Sequence, residues 1–245
     1  MMIAGLQKLS LVDYPGHLST VVFLQGCNFN CGYCQNPDLI RSEKQFDFSK
    51  KNFFDFIQRR KGTIEGVVIS GGEPTIHNDL PEFIEKIKKL NFKIKLDTNG
   101  SNPEQLEFLL RSRMLDYVAM DIKTSFSRYS LVSSQKEIAT KVLESIRLLL
   151  FSTISYEFRT TCVPTVVDDA DFIEIGKKVK KAQRYCLQQF RPMVVNDEVF
   201  SKITPYSNEK IYGFRNILEE FVEKVDIRGL VGDTGNVPFK ETRET

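Results

Sequence analysis

The sequence predicts one α/β domain in which parallel strands are joined by helices. Three observations carry this. Short β-branched or apolar runs recur along the chain, amphipathic stretches at helical spacing lie between them, and no linker, repeat or low-complexity segment breaks the alternation. Strands separated by helices pair in parallel through right-handed crossovers. About six such units point to a barrel or an incomplete barrel, with a doubly wound open sheet as the alternative.

The elements follow in order. Candidate strands lie at 20–25, 66–70, 92–97, 117–123, 156–163 and 185–190, with a last one near 224–229. Leu80, Phe83, Ile84, Ile87 and Leu90 recur at helical spacing, and Asn78 is placed to cap that helix. Asn102 followed by Pro103 reads as an N-cap and first-turn proline, with Leu106, Leu109 and Leu110 turned inward. Ile138, Val142, Ile146, Leu149 and Leu150 mark another helix. Ile211, Leu218, Phe221, Val222 and Val225 mark the last long one. These stripes are core packing.

The domain is expected over 1–231, with 232–245 a loose polar tail. Of the 245 residues 41% are apolar, which supports a sizeable core and excludes global disorder. Lys and Arg (34) nearly balance Asp and Glu (32), and a net charge of +2 argues against nucleic acid or an anionic membrane as partner. No apolar run approaches the ~20 residues of a membrane span. Residues 1–5 turn polar too soon for a secretory signal. A cytoplasmic protein with reduced thiols is expected.

The most informative local feature is Cys27, Cys31 and Cys34, spaced C-x3-C-x2-C on a loop that also holds Asn28, Asn30 and Gly32. Three thiolates on a 4Fe–4S cluster leave one iron without a protein ligand, which suits a reaction centre better than an electron carrier. Other readings are weaker. Buried core cysteines need not cluster. A structural zinc site wants four N/S ligands, and only His17 and His77 are there to help. An odd count of 5 cysteines fits disulfides poorly.

In parallel α/β folds chemistry gathers at the carboxyl ends of strands. The first predicted strand runs into Gln25-Gly26-Cys27, and the second ends in Ser70-Gly71-Gly72-Glu73-Pro74. Paired glycines let a ligand approach the backbone closely. The third strand ends in Asp97-Thr98-Asn99-Gly100. The fourth carries Asp121 and Lys123, which alternation puts on one face. Each motif alone reads as a turn or a cap. Together, at successive strand ends, they describe one polar pocket facing the cysteine loop.

On these residues the chain resembles the radical S-adenosylmethionine (SAM) enzymes, with Tyr33 at the aromatic position of the cysteine motif and Gly71-Gly72-Glu73-Pro74 as the second signature. Within that family it is more similar to the activating enzymes of glycyl radical enzymes. The stretches that carry this are Ser10-Leu11-Val12-Asp13-Tyr14-Pro15-Gly16, Phe23-Leu24-Gln25-Gly26-Cys27 and Tyr33-Cys34-Gln35-Asn36-Pro37, followed by Asp97-Thr98-Asn99-Gly100 and Asp121-x-Lys123. Activators of anaerobic ribonucleoside-triphosphate reductase are the best match. The likeness is good over 5–165 and weaker beyond. Tyr14 stands where Gly is usual, and Gln35 where His is usual.

The resemblance implies a partial (β/α)6 barrel and a 4Fe–4S cluster on Cys27, Cys31 and Cys34. SAM would be bound by Tyr33, Gly71, Gly72, Glu73, Pro74, Asp97, Thr98, Asn99, Asp121 and Lys123, with Arg159 neutralising charge nearby. It also implies a monovalent cation near Asp97, Thr98 and Asp121, a flavodoxin- or ferredoxin-type electron donor, and contact of Asp13, Tyr14, Pro15 and Gly16 with a partner's glycine loop. The alternative for that segment is a turn capped by Asp13 with Tyr14 packed beneath it. Cys162 and Cys186 are read as core, so no second cluster is expected. The competing readings are a radical SAM enzyme acting on a small molecule or on another glycyl radical enzyme, and a non-catalytic zinc or iron–sulfur module.

Overall fold

The computed structural model describes residues 1–40 and 48–230; the tail expected over 232–245 lies outside the described residues. One eight-stranded sheet runs in chain order: β1 (Ile3–Ser10), β2 (Ser19–Leu24), β3 (Gly66–Gly71), β4 (Lys93–Thr98), β5 (Tyr117–Asp121), β6 (Ser155–Cys162), β7 (Tyr185–Gln189) and β8 (Val225–Arg228). β1 is antiparallel to β2, and every later pair is parallel. With β1 and β8 as its edges, the sheet is a barrel left open. All seven predicted strands are present. β1 is an antiparallel addition outside the parallel core, whose seven strands, β2 to β8, are one more than a six-strand barrel holds.

The helices are α1 (Pro37–Ile40), α2 (Lys50–Arg59), α3 (Leu80–Lys88), α4 (Pro103–Arg111), α5 (Ile138–Leu150), α6 (Asp169–Lys178), α7 (Glu198–Ser201) and α8 (Asn208–Glu219). Asn102 caps α4 as expected, accepting from the Gln105 N–H. Two boundaries differ from the expectation. The residue before α3 is Asp79, not Asn78. α8 stops at Glu219, so Val225 belongs to β8; its apolar side chain continues the stripe into a strand. No described helix is long and apolar enough to cross a membrane.

Register decides which residues face which side. In a parallel ladder, paired residues share a face. Val22, Ile69, Leu96, Val118 and Tyr156 form one such row across β2 to β6. All are buried against the helices in the main core with Ile84, Leu106, Val142, Phe172 and Phe214. The opposite face carries a different row: Asp121, Arg159, Cys186 and Asp226 on β5 to β8. Asp97 and Glu157 share that face through Ala119. The sheet curves toward it, because Asp97 on β4 reaches Arg159 on β6 across the intervening strand, at 3.5 Å. That face is the lumen. Cys162 is core as expected. Cys186 is buried too, but it lies among the lumen charges of Glu157, Arg159, Asp226 and Arg228.

Candidate functional site

The cysteine loop leaves the carboxyl end of β2. Cys31 is buried, Cys27 and Cys34 are half-buried, and none is in a disulfide. The Cys27 and Cys34 sulfurs each accept a backbone N–H from two residues on, Phe29 and Asn36, both at 3.4 Å. Such bonds are the kind that stabilise a thiolate and tune a cluster's potential. Burial pushes the Cys27 thiol up to about 12 and the Cys31 thiol up to about 11, and it raises Cys34 as well. Uncompensated, these sulfurs stay protonated; a metal that supplies positive charge is what makes them thiolates. Among the described residues no three Cys, His, Asp or Glu side chains converge on a single metal ion. A cubic cluster spreads its thiolates over separate corners, and a donor set of three sulfurs alone suits iron–sulfur. The Tyr33 hydroxyl is buried beside the Cys31 sulfur and makes no hydrogen bond of good geometry among the described residues.

Gly71 to Pro74 lie against this loop. Gly71 has φ +120°, and a side chain there would run into the Leu24 backbone; at Gly72 it would fall on the Gly26 carbonyl. The Gly72 N–H donates to Leu24 O (2.9 Å) and the Glu73 N–H to Gly26 O (2.8 Å). These N–H groups therefore stitch β3 to the cysteine loop and are not free to meet a ligand.

The Glu73 carboxylate is also engaged. It is fully buried, and it accepts from Thr75 N (3.0 Å) and Thr75 Oγ1 (2.5 Å), Thr98 Oγ1 (2.7 Å) and Asn99 N (2.6 Å). Burial raises its pKa against those four bonds. Glu73 thus ties the end of β3 to the end of β4. Asn99 extends the tie: its Nδ2 donates to Asn28 Oδ1 at 3.0 Å, and Asn28 Nδ2 donates to Ser101 Oγ at 2.8 Å. The three predicted motifs at the ends of β2, β3 and β4 are one hydrogen-bonded unit.

The fourth motif joins through charge. Arg159 Nε donates to Asp121 Oδ1 at 2.7 Å, and Lys123 Nζ lies 2.8 Å from Asp121 Oδ2. Asp97 accepts from Ser70 Oγ at 3.1 Å and from Lys95, a residue that reading the sequence did not single out. Burial pushes both carboxyls up, yet the cations outweigh it: Arg159 and Lys95 lower Asp97, and Arg159 and Lys123 lower Asp121. Lys123 is close enough to Cys31 and Cys34 to be stabilised by them. The lumen charges thus reach the cysteine loop.

Asp13, Tyr14, Pro15 and Gly16 stand elsewhere. They lie in the turn between β1 and β2, before β2 begins, at the opposite end of the strands from Cys27. Asp13 accepts from the Ser10 hydroxyl at 2.5 Å, and His17 N donates to Tyr14 O at 3.0 Å, which closes the turn. Tyr14 turns inward, 3% exposed, against Val21, Val68, Tyr117 and Ala119. Its ring fills the amino-end mouth of the lumen and crowds Gly66.

Sequence reasoning also missed a clasp from the segment after β7. Asp197 N donates to Gly32 O at 2.9 Å, and Asn196 Nδ2 donates to Asn30 Oδ1 at 2.8 Å. Gln35 Nε2 donates to Arg191 O at 3.1 Å. Phe200, on α7, packs against Tyr33 with ring centres 5.9 Å apart.

With this geometry in place, the likeness to known proteins has a structural frame. The chain matches the radical SAM superfamily over residues 21–179. A protein of Methanocaldococcus jannaschii, named for a glycyl-radical enzyme activating role, is 35% identical over 238 residues, covering 94% of this chain and 97% of its own. The pyruvate formate-lyase-activating enzyme of Clostridium pasteurianum is 26% identical over 245 residues, covering 90% and 98%. Among solved structures, Streptococcus suis SuiB bound to S-adenosylmethionine superposes with a TM-score of 0.61 at 15% identity, covering 85% of this chain and 52% of that one. At that identity the likeness shows the fold alone.

Proposed function

The chain belongs to the radical SAM superfamily and is homologous to glycyl-radical-enzyme activating enzymes, and from that premise we propose that it installs a glycyl radical on the anaerobic (class III) ribonucleoside-triphosphate reductase. The family implies a 4Fe–4S cluster and SAM. When bound, they supply a 5′-deoxyadenosyl radical able to take a hydrogen atom from a Cα–H bond.

The residues of this chain bind, orient and exclude water. Cys27, Cys31 and Cys34 hold the cluster. Tyr33 offers its hydroxyl to the adenine. The loop of Gly71, Gly72 and Pro74 meets the methionine end through its backbone, and Glu73 holds that loop in place. Thr98 and Asn99 share this positioning role, and Asp97, Asp121, Lys123 and Arg159 line the lumen beside it. Asp13, Pro15 and Gly16 would meet the partner's glycine loop at the other mouth, with Tyr14 withdrawn. The monovalent cation that the resemblance implies beside Asp97, Thr98 and Asp121 does not fit: Lys95, Ser70, Arg159 and Lys123 already engage those carboxylates. A flavodoxin- or ferredoxin-type protein would supply the electron, and reduced thiols point to the cytoplasm.

One observation carries the reading: the 35% identical activating-type relative covers 94% of this chain and 97% of its own length. The test is to incubate reduced, reconstituted enzyme and SAM with the reductase. An organic glycyl doublet in the electron paramagnetic resonance spectrum supports it. SAM cleavage without any doublet, across the glycyl radical enzymes of the same genome, turns the reading toward a small-molecule substrate. The Tyr14 plug favours that second reading, because it closes the mouth a protein loop would use.

A further inference from the structure

Lys95 is an unusual residue to find in a parallel strand's interior. Its side chain is 2% exposed, and its ammonium lies 5.9 Å from the centre of the Tyr117 ring and bonds Asp97 Oδ1. A buried lysine is costly unless it is paired, so its place in the lumen needs a reason. Its surroundings supply one. Asp97 Oδ1 takes Lys95, and Oδ2 takes Ser70 Oγ (3.1 Å) and Arg159 Nη1 (3.5 Å). Asp121 Oδ1 takes Arg159 Nε (2.7 Å), and Oδ2 takes Lys123 Nζ (2.8 Å). All four carboxylate oxygens are therefore engaged. Three side-chain cations face two carboxylates, which leaves one positive charge in excess.

Cys31 and Cys34 lie on the Lys123 side of this group; around Lys95 and Asp97 the other lumen charges do not cancel the excess. Glu157 is held at both oxygens by Arg228, at 3.0 and 2.7 Å, a neutral pair, and Asp226 is taken by Arg184 at 2.5 Å and by the exposed Lys224 at 3.3 Å, so neither carboxylate is left to offset the excess. Glu73 is turned away, onto Thr75, Thr98 and Asn99. A metal cation added to Asp97 and Asp121 would have to share oxygens that each already face a side-chain cation, and it would raise the buried excess further. A ligand carboxylate would neutralise it, and the amino-acid end of SAM carries one.

We infer that Lys95 is a built-in counter-ion that takes the place of a bound monovalent metal ion, so that SAM binding in this enzyme is independent of sodium and potassium. Lys95 is a positioning residue: it satisfies Asp97 from inside the chain and keeps Arg159 shared between Asp97 and Asp121. The inference rests on the radical SAM reading of the site. It goes beyond that reading by stating what this chain does without.

The test measures SAM affinity by isothermal titration of the anaerobically reconstituted enzyme. Potassium is replaced by tetramethylammonium, too large for a carboxylate site, at constant ionic strength. Wild-type affinity is expected to stay within about twofold, well below the 5–150-fold range typical of coupled sites. K95M is expected to bind SAM weakly in tetramethylammonium and to be rescued by about tenfold or more by potassium or sodium. K95R, which keeps a charge, should behave as wild type, and it stands in if K95M does not fold. Loss of wild-type affinity by about tenfold on removing potassium overturns the inference while leaving the SAM site standing. A folded K95M that binds SAM equally in both buffers overturns it too. Absence of SAM binding in every buffer brings down the radical SAM reading together with it.

Discussion

Phe158 and Arg159 are neighbours on β6 and live in different solvents. Phe158 points out from the barrel and is fully buried among helix side chains. Arg159 points in and is shared between two carboxylates. The same contrast holds along the sheet: Val22, Ile69, Leu96 and Val118 on one face, Lys95, Asp97, Asp121 and Glu157 on the other. Burial alone does not separate the faces, since both exclude water. What separates them is the kind of free energy each supplies. The outer face gains from removing apolar area, in amounts that depend little on its exact partners. The inner face spends desolvation energy on every charge and recovers it only through geometry. The outer face therefore holds the fold, and the inner face holds a site. A one-residue register slip would exchange them.

Substitutions that separate the faces test this, and the largest effect belongs to the cysteine loop. C31A should leave far-ultraviolet circular dichroism unchanged, because losing one sulfur at a loop on the rim of the core removes little apolar contact. Cluster content and SAM cleavage should fall by more than the ~10–100-fold that loss of a supporting residue costs. A variant that reconstitutes a full cluster would remove Cys31 from the ligand set.

The Phe158 and Arg159 pair comes next. F158A should cost about 3–5 kcal/mol in urea unfolding, a cavity effect, and leave SAM affinity per folded molecule intact. R159M should cost a similar ~3–5 kcal/mol by stranding buried carboxylates. Unlike F158A, it should also weaken SAM binding and leave the cluster's absorbance in place. If both variants lose SAM binding equally after correction for folding, the two faces are not independent.

Acid separates them with a smaller effect. Burial pushes the Asp97 and Asp121 carboxyls up, but Arg159 foremost holds both below the usual carboxylate range. A carboxyl whose folded pKa is depressed contributes stability that is fully present above its unfolded value, ~3.9. That contribution is lost as pH falls through the folded value. Wild-type stability should therefore drop below about pH 4. R159M, with less depressed carboxyls, should show a shallower acid limb, and F158A a wild-type one. Parallel acid limbs in all three would detach the lumen carboxylates from Arg159.

The same contrast explains what was legible in the sequence. The outer face announces itself, because β-branched runs and helical stripes are local patterns; all seven parallel strands were found that way. β1 escaped because Gly5, Gln7 and Lys8 look unlike a strand. It is a half-exposed edge, where such residues are tolerated. The site residues at strand ends were legible as motifs, but their partners were not. Lys95 reads as an exposed strand position until β4 is seen to turn it inward. Tyr14 reads equally as a contact for a partner's loop or as packed beneath its turn, and only the sheet's curvature shows the mouth it fills. Glu73 looks like a ligand-facing acid, and only the folded position of Thr98 and Asn99 shows its bonds spent inside the chain. Long-range pairing of this kind leaves no periodic trace.

The smallest expected effect tests the clasp, where the site borrows support from outside the sheet. Asn196 donates from the segment before α7 to Asn30 Oδ1 (2.8 Å) and to Cys31 O (3.4 Å). The residue is only half-buried, so water can replace what N196A removes. The global cost should be at most about 1 kcal/mol. The local cost should be visible all the same, because the lost bonds hold the backbone of Cys31, a proposed cluster ligand, and loops open locally at free energies below the global one. Hydrogen exchange at residues 28–35 should speed up while exchange in β3 to β5 does not change. The reconstituted cluster should bleach faster in air than that of wild type. Uniform acceleration across the sheet would place Asn196 in the fold's general support; unchanged exchange at 28–35 would leave the clasp without a role at the cysteine loop.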